Sequence, residues 1–344
     1  MAVKKPRVLA LMHRELVPPS GATAADSIHA DWKTEFDVAS HLQTAGYELQ
    51  PLGVDDDLRA IRTAMDEWKP HIAFNLLEHF HGIPTFDQNV VSYLELLRLP
   101  YTGCNPRGLL LARDKALSKK LMAFHRIPVP DFAVFPIGRT ARRPKRLQFP
   151  LIVKSLTDEA SVGISQASVV DDDAKLAERV RFVHESHAAD AIVERYIEGR
   201  ELYVGVVGNQ RLQVLPVWEM LFTKMPEETW HIATDRVKWS NSYQEKHGIK
   251  TDIANLTDEE AARIQHLCKR VYRTLSLSGY ARIDMRLDST GRVYVLEANP
   301  NPQLAYGEDF AESAERSGLG YEALLQRIIN LGLQWRPERV PPGA

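Results

Sequence analysis

Arg282, Asp284, Glu297 and Asn299 stand close together within Tyr280 to Leu304, YARIDMRLDSTGRVYVLEANPNPQL. Arg282 and Asp284 are two apart, as are Glu297 and Asn299, and Asp288-Ser289-Thr290-Gly291 between them reads as a turn. In extended chain, residues two apart share a face. Ala281, Ile283, Met285 and Leu287 then form one face, and Arg282, Asp284 and Arg286 the other. If Leu287 pairs with Arg292, Arg282 lies opposite Glu297 and Asp284 opposite Val295. Tyr294, Leu296 and Ala298 then join the apolar face, while Glu297 and Asn299 join the polar one. Pro300 and Pro302 are expected to end the pairing. Hard oxygen donors on a rigid hairpin suit Mg²⁺, which takes one or two carboxylates plus phosphate oxygens and water. An arginine beside them can hold a carboxylate or a forming oxyanion. The same residues also fit a solvated sheet face with a cross-strand Arg–Glu pair, and the hairpin alone leaves both readings open.

The elements around it are those of an α/β chain. Arg7 to Met12 reads as a buried strand. Asp31 to Ala45 reads as a helix with Phe36, Val38, Ala39 and Leu42 inward and Gly46 at its end. Tyr47 to Val54 reads as a strand, Leu58 to Trp68 as a helix and Ile72 to Leu76 as a strand, an alternation that favours a parallel, Rossmann-like sheet. No G-x-G-x-x-G follows the first strand, so the usual dinucleotide reading is weak. Further on, Ala112 to Phe124 reads as a helix, Phe149 to Lys154 and Ala191 to Ile197 as strands, and Glu201 opens another. Leu221 to Asn255 reads as a long functional loop, Thr257 as the cap of a helix to Leu275, and Tyr321 to Leu333 as the last helix. With 344 residues, two or three cored domains fit.

Composition excludes other classes. Lys+Arg 43 against Asp+Glu 45 gives a net charge of −2, so charge makes no case for nucleic acid or an anionic membrane. The basic run Arg139 to Arg146 lacks the interleaved aromatics that stack bases and reads as a solvated loop. Cys104 and Cys268 match no metal or redox spacing and read as buried small hydrophobes. Val8 to Met12 is too short for a signal-peptide core and no stretch approaches a membrane span, so a cytoplasmic protein is expected.

RID followed some fifteen residues later by LEAN resembles the metal-binding motif of ATP-grasp enzymes, in particular the D-alanine–D-alanine ligase branch. The resemblance runs from about Ile72 to Leu333. It implies that Asp284, Glu297 and Asn299 hold two Mg²⁺ ions (or Mn²⁺) against the ATP phosphates, and that Arg282 contacts the acyl-phosphate and tetrahedral states. Lys115, in DKALSKKLM, and Lys154, ending FPLIVK, inherit phosphate contacts. Ser161 and Gly163 fall in the loop over the phosphates, and Lys238, in VKW, on a mobile loop that closes the site with Trp239 in place of tyrosine. Glu194, Tyr196 and Ile197 match the adenine hinge, and Glu201 the ribose carboxylate. His81-Gly82 matches a substrate-side motif, and Gln303 stands where the family places an oxyanion-hole glycine. The glutamate loop of the family's first strand is not recognisable; Glu15 is the nearby candidate. The implied architecture is a Rossmann-like domain (1–103), then a central (104–190) and a C-terminal (191–335) ATP-grasp subdomain, with 336–344 as a disordered tail.

The implied activity is ATP-dependent joining of a small-molecule carboxylate to an amine through an acyl phosphate, with ATP and Mg²⁺ as cofactors and a homodimer expected by resemblance. A thiol or hydroxyl acceptor, a carboxylate kinase and a non-catalytic ATP-binding module stay open. Three departures stand out: Glu159 where glycine is usual, Gln303 for the oxyanion-hole glycine, and Glu308 about where a serine would hold the second substrate's carboxylate. Gln303 and Glu308 lead to the expectation of an acceptor other than D-alanine, while Glu159 bears on closure of the phosphate loop and keeps the non-catalytic module open.

Overall fold

The computed structural model describes residues 5–157, 163–226 and 228–336, without the side chains of Lys238, Trp239 and Asn241. Ser161 and Glu159 lie outside the described residues. Three sheets carry the chain. In the first, β1 (Arg7–His13) lies between β2 (Glu48–Val54) and β3 (Ile72–Asn75), and both pairings are parallel. Apolar β1 is buried from Val8 onward, as a central parallel strand requires. The helix Lys33–Thr44 buries Val38 and Leu42 as expected, but with Glu35 and Asp37 rather than Phe36 and Ala39, which are half-buried.

The second sheet runs β4 (Phe132–Phe135), β7 (Ala191–Arg195), β5 (Leu151–Ser155), β6 (Val169–Val170). Because β7 pairs with both β4 and β5, this sheet extends to Arg195, past the division expected at 190/191. In the third, β10 (Ile249–Ile253), β9 (Gln213–Phe222), β8 (Arg200–Val207), β11 (Tyr280–Leu287) and β12 (Val293–Pro300) follow in that order.

Some expectations are corrected. Leu221 to Asn255 is not one loop: it holds the end of β9, the helices Asp235–Trp239 and Asn241–His247, and β10. The expected helix Ala112 to Phe124 is two, Pro106–Arg113 and Lys115–Phe124. They break at Asp114, whose carboxylate caps the second by accepting from the Ala116 and Leu117 N–H groups, both at 2.9 Å. The helices Asp87–Leu96 and Asp309–Arg316 were not expected at all.

The hairpin register also differs. Leu287 faces Val293, not Arg292, and a bulge between Asp284 and Met285 adds Leu296 to β12. Arg282 therefore lies opposite Asn299, and Asp284 opposite Glu297. The bulge shifts the pleat by one residue, so Val293 and Val295 face the core where Tyr294 and Leu296 were expected. Pro300 still pairs, with Ala281. The C-terminal helix Tyr321–Leu333 returns to the first sheet, where Ile328 and Ile329 join Val8, Val38 and Phe74 in one core. Cys104 and Cys268 are buried free thiols.

Candidate active site

The bulge is what assembles the polar face. It brings the Asp284 and Glu297 carboxylates to directly paired positions, with Asn299 two residues on. Arg282 donates to Asp284 through Nε at 2.7 Å and Nη2 at 2.9 Å, and Asn299 Nδ2 donates to the same carboxylate at 2.9 Å. The Arg282 guanidinium lies 4.9 Å from the centre of the Tyr203 ring. Burial disfavours its charge, but Asp284 more than offsets that and holds its pKa above the usual arginine value.

A cavity lined from both the second and the third sheet lies between them. Lys115, Lys154, Glu194, Tyr196, Ile197 and Glu201 line it together with Asp284 and Glu297. Residues widely spaced in the chain thus meet the hairpin around one space. The Lys115 N–H donates to the Leu156 carbonyl at 3.3 Å, which ties the start of the capped helix to the end of β5 beside Lys154.

Glu194 is buried between two lysines, with Lys119 Nζ at 3.3 Å and Lys154 Nζ at 3.5 Å. Burial raises its pKa, but the two ammonium groups win and hold it below the usual value. For Lys154, Glu194 and Glu297 outweigh burial and the pKa rises; for fully buried Lys119 burial wins and it falls. Lys119 also donates to the Leu296 carbonyl at the bulge. The sequence reading missed Lys119, although it follows Lys115 by four residues on one helix face.

Arg286 was missed as well, although it is the third polar residue of the Arg282, Asp284, Arg286 row. It lines the cavity, pairs with Glu201 at 2.6 Å from directly across β8, and lies 3.2 Å from the Gly199 carbonyl and 3.4 Å from the Ile197 carbonyl and Tyr196 hydroxyl. The second oxygen of Glu201 accepts from the Tyr203 hydroxyl at 2.7 Å. Burial, then Glu201 and Asp284, raise that phenol's pKa well above its usual value.

Other expected residues lie elsewhere. His81 is exposed at φ +55, with its ring nitrogen 3.9 Å from the Asp56 carboxylate, and does not line the cavity. Glu15 sits exposed in a short 3₁₀ turn, Arg14–Leu16. Gly163 has φ +71, a backbone conformation that favours glycine. Lys238 lies on the short helix Asp235–Trp239, its side chain outside the described set. Gln303 is exposed, and its Nε2 donates to Thr34 Oγ1 at 3.4 Å.

The donor set fits Mg²⁺. Two paired carboxylates and an amide oxygen leave the remaining positions to phosphate oxygens and water. Among the described residues no group of three or more His, Cys, Asp or Glu could hold a metal unaided. No described helix is long and apolar enough to cross a membrane.

A cavity walled by two sheets, with lysines on one side and a carboxylate-bearing hairpin on the other, is the arrangement of an ATP-grasp fold, and the relatives below place the chain among ATP-dependent ligases that form carbon–nitrogen bonds. Comparison with known proteins narrows the class. The family model "D-ala D-ala ligase C-terminus" matches residues 121–330. A D-alanine–D-alanine ligase of Desulfotalea psychrophila is 30% identical over 276 residues, 79% of this chain and 81% of the relative. An uncharacterised protein, y4sG, of Sinorhizobium fredii is 30% identical over 302 residues, 86% of this chain and 85% of the relative. The crystal structure of a Bacillus anthracis D-alanine–D-alanine ligase complexed with ATP aligns with a TM-score of 0.74 and 24% identity, over 96% of this chain and 98% of that one, a likeness of fold. The chain belongs to the D-alanine–D-alanine ligase family.

Proposed function

We propose that this protein joins the carboxylate of one amino acid to an amine other than D-alanine, using ATP through an acyl phosphate. The observation that carries the reading is the convergence of Lys115, Lys154, Glu194 and Glu201 with the paired Asp284 and Glu297 around one cavity. In this reading the hinge residues Tyr196 and Ile197 meet the nucleobase, Glu201 meets the ribose, and Lys115 and Lys154 meet the phosphates, with Ser161, Gly163 and Lys238 on the covering segments. Asp284, Glu297 and Asn299 hold Mg²⁺, which when bound neutralises phosphate charge. The substrate carboxylate attacks the γ-phosphorus, ADP leaves, and the amine then attacks the acyl phosphate carbonyl and displaces phosphate. Arg282, held by Asp284, offers positive charge to the oxyanion, a contact worth roughly 3 kcal/mol where it has been removed by mutation.

The departure from D-alanine rests on the segment after Asn299. Gln303 puts a side chain where the family has glycine and anchors it on Thr34. Exposed Glu308 brings a carboxyl where a serine would receive a carboxylate. The test incubates the protein with ATP and Mg²⁺, first with D-alanine and then with pairs of other amino acids, reading phosphate release and product mass. Efficient D-alanyl dipeptide formation overturns the acceptor reading. ADP formation without released phosphate points instead to a carboxylate kinase.

A further inference from the structure

A second groove opens between the helix Asp258–Thr274, the turn joining β11 to β12, and the segment after the helix Lys115–Phe124. It shares no lining residue with the nucleotide cavity. Pro128, Ile264, Leu267 and Val293 line it with apolar surface. Arg263, Leu267 and Arg270 stand at i, i+4 and i+7, so one helix face brings two guanidiniums to the groove with an apolar residue between them. Arg292 adds a third from the residue before β12. Among the described residues no acidic side chain lines the groove.

The arginines are held in place without being neutralised. Arg263 Nη2 donates to the Gly291 carbonyl at 3.1 Å and Arg270 Nη2 to the His125 carbonyl at 2.7 Å. The Arg292 guanidinium lies 4.9 Å from the centre of the Tyr294 ring. A guanidinium carries five N–H donors, so one bond to a carbonyl leaves most of the fork for a ligand. Anchored side chains also lose less freedom on binding than free ones. The acids nearest in sequence are engaged locally. Glu260 accepts from the Thr257 N–H and hydroxyl, both at 2.9 Å, and closes a capping box. Asp288 accepts from the Thr290 N–H at 2.9 Å, its hydroxyl at 2.6 Å and the Arg292 N–H at 3.0 Å. Charge complementarity therefore calls for an anion. The apolar lining calls for one with an apolar body, since a bare inorganic anion would leave that surface in water.

We propose that this groove is a second binding site, for an organic anion with an apolar body and a carboxylate or phosphate head. Leu267 and Val293 receive the body, and Arg263, Arg270 and Arg292 the head. The site does not depend on the ligase reading, although it is built on the same scaffold. The Pro128 carbonyl at its edge accepts from the Val295 N–H at 2.9 Å, on the strand that carries Glu297.

The test titrates 3-phenylpropionate and, separately, phenyl phosphate into the protein while a non-hydrolysable ATP analogue and Mg²⁺ fill the nucleotide cavity, with binding read by ligand-observed NMR. 3-Phenylpropanol keeps the body without the charge, and acetate keeps the charge without the body. Both are expected to bind at least about tenfold more weakly than the better of the two anions. In Arg292→Gln and in Arg263→Gln, Kd for that anion is expected to rise at least about fivefold. Arg139→Gln, which removes an exposed charge from the basic run elsewhere on the chain, should leave it unchanged. Arg292 is exposed, so its variant should melt with the parent, which separates loss of binding from loss of fold. These losses support the site, and the tighter anion names the head. Alcohol and anion binding alike, an unchanged Kd in both groove variants, an equal loss in Arg139→Gln, or no saturation by either anion below about 10 mM overturns it.

Discussion

Arg282 and Asp284, two residues apart on β11, are locked by a two-pronged ion pair, with Asn299 donating to the same carboxylate from β12. The pair sets two functions against each other. On the proposed reading, the carboxylate that would serve a metal also fixes the arginine that would meet the oxyanion. Planar two-pronged pairing is specific to arginine, because lysine offers a point charge instead of a fork.

Asp284→Asn tests that coupling. The amide keeps the shape but removes the charge, and phosphate release is expected to fall at least about a hundredfold. Arg282→Lys keeps the charge and loses the fork, and should give an intermediate loss. Steady-state phosphate release at saturating Mg²⁺ reads both. Near-parental turnover in Asp284→Asn would remove this hairpin from the chemistry.

The buried triad Lys119–Glu194–Lys154 separates binding from support. Lys154→Ala is expected to weaken nucleotide binding strongly, whereas Lys120→Ala, an exposed neighbour, changes little. Lys119→Met should act chiefly on stability, at roughly 3–5 kcal/mol, because it leaves Glu194 buried with one partner fewer. Calorimetry with a non-hydrolysable ATP analogue and urea unfolding divide the two effects. Equal nucleotide affinity in Lys154→Ala and Lys120→Ala would refute the phosphate contact.

What the sequence disclosed, and what it hid, follows from the range of the interactions. The hairpin, its turn and its polar row are local, so period-2 spacing reveals them. The bulge at Leu296 is not local: it is set by pairing with β11, and Lys119 bonds to the carbonyl there. Its effect was to exchange which β12 residues face the core. Lys119 and Arg286 escaped notice because each acts through a partner far away in sequence. Lys119 is 75 positions before Glu194, and Arg286 is 85 after Glu201. Glu35 left a visible sign, since it shares a helical stripe with Val38 and Leu42, three and seven residues on. An acid on an apolar stripe marks a buried carboxyl.

That carboxyl gives a pH signature. Its pKa stands at about 7 against the usual 4.5. Between those values the folded protein holds more protons at Glu35 than the unfolded chain, so this group's contribution to stability falls as pH rises from 4.5 to 7. Above pH 7 the penalty is complete, at roughly 3 kcal/mol. Glu35→Gln removes it, so the variant should melt higher than the parent at pH 8 and close to it at pH 4.5. His13 slopes the other way. With its pKa depressed from 6.5 to about 4, it takes up more protons when unfolded, and its contribution is lost as pH falls through that window. Melting both proteins from pH 4.5 to 8 isolates the Glu35 term, because His13 is common to them. A difference that does not grow with pH would place the raised pKa elsewhere.

The acceptor side turns on Gln303. Its side chain reaches across to Thr34 at the start of the helix Lys33–Thr44. The segment beyond is tied to the same helix, where Lys33 donates to the Tyr306 carbonyl at 2.6 Å and the Tyr306 N–H donates to Asp37 at 2.9 Å. These contacts fix the path from Gln303 to Tyr306 independently of the Gln303 side chain, so shortening that side chain should open space without releasing the segment. Glu308, just beyond, keeps an exposed side chain, yet partial desolvation by the surrounding protein raises its carboxyl pKa, opposed by Lys33 and reinforced by Asp309 and Asp37. On the proposed reading it puts a carboxyl where a serine would receive the second substrate's carboxylate. Gln303→Gly combined with Glu308→Ser is therefore expected to raise turnover with D-alanine as acceptor by about tenfold or more, a difference of roughly 1.4 kcal/mol in transition-state binding. Turnover with the protein's own acceptor should fall. Mass detection of the D-alanyl dipeptide in parent and double variant reads the result. If both make it equally, the acceptor is chosen elsewhere and Gln303 is a tether to the helix and nothing more.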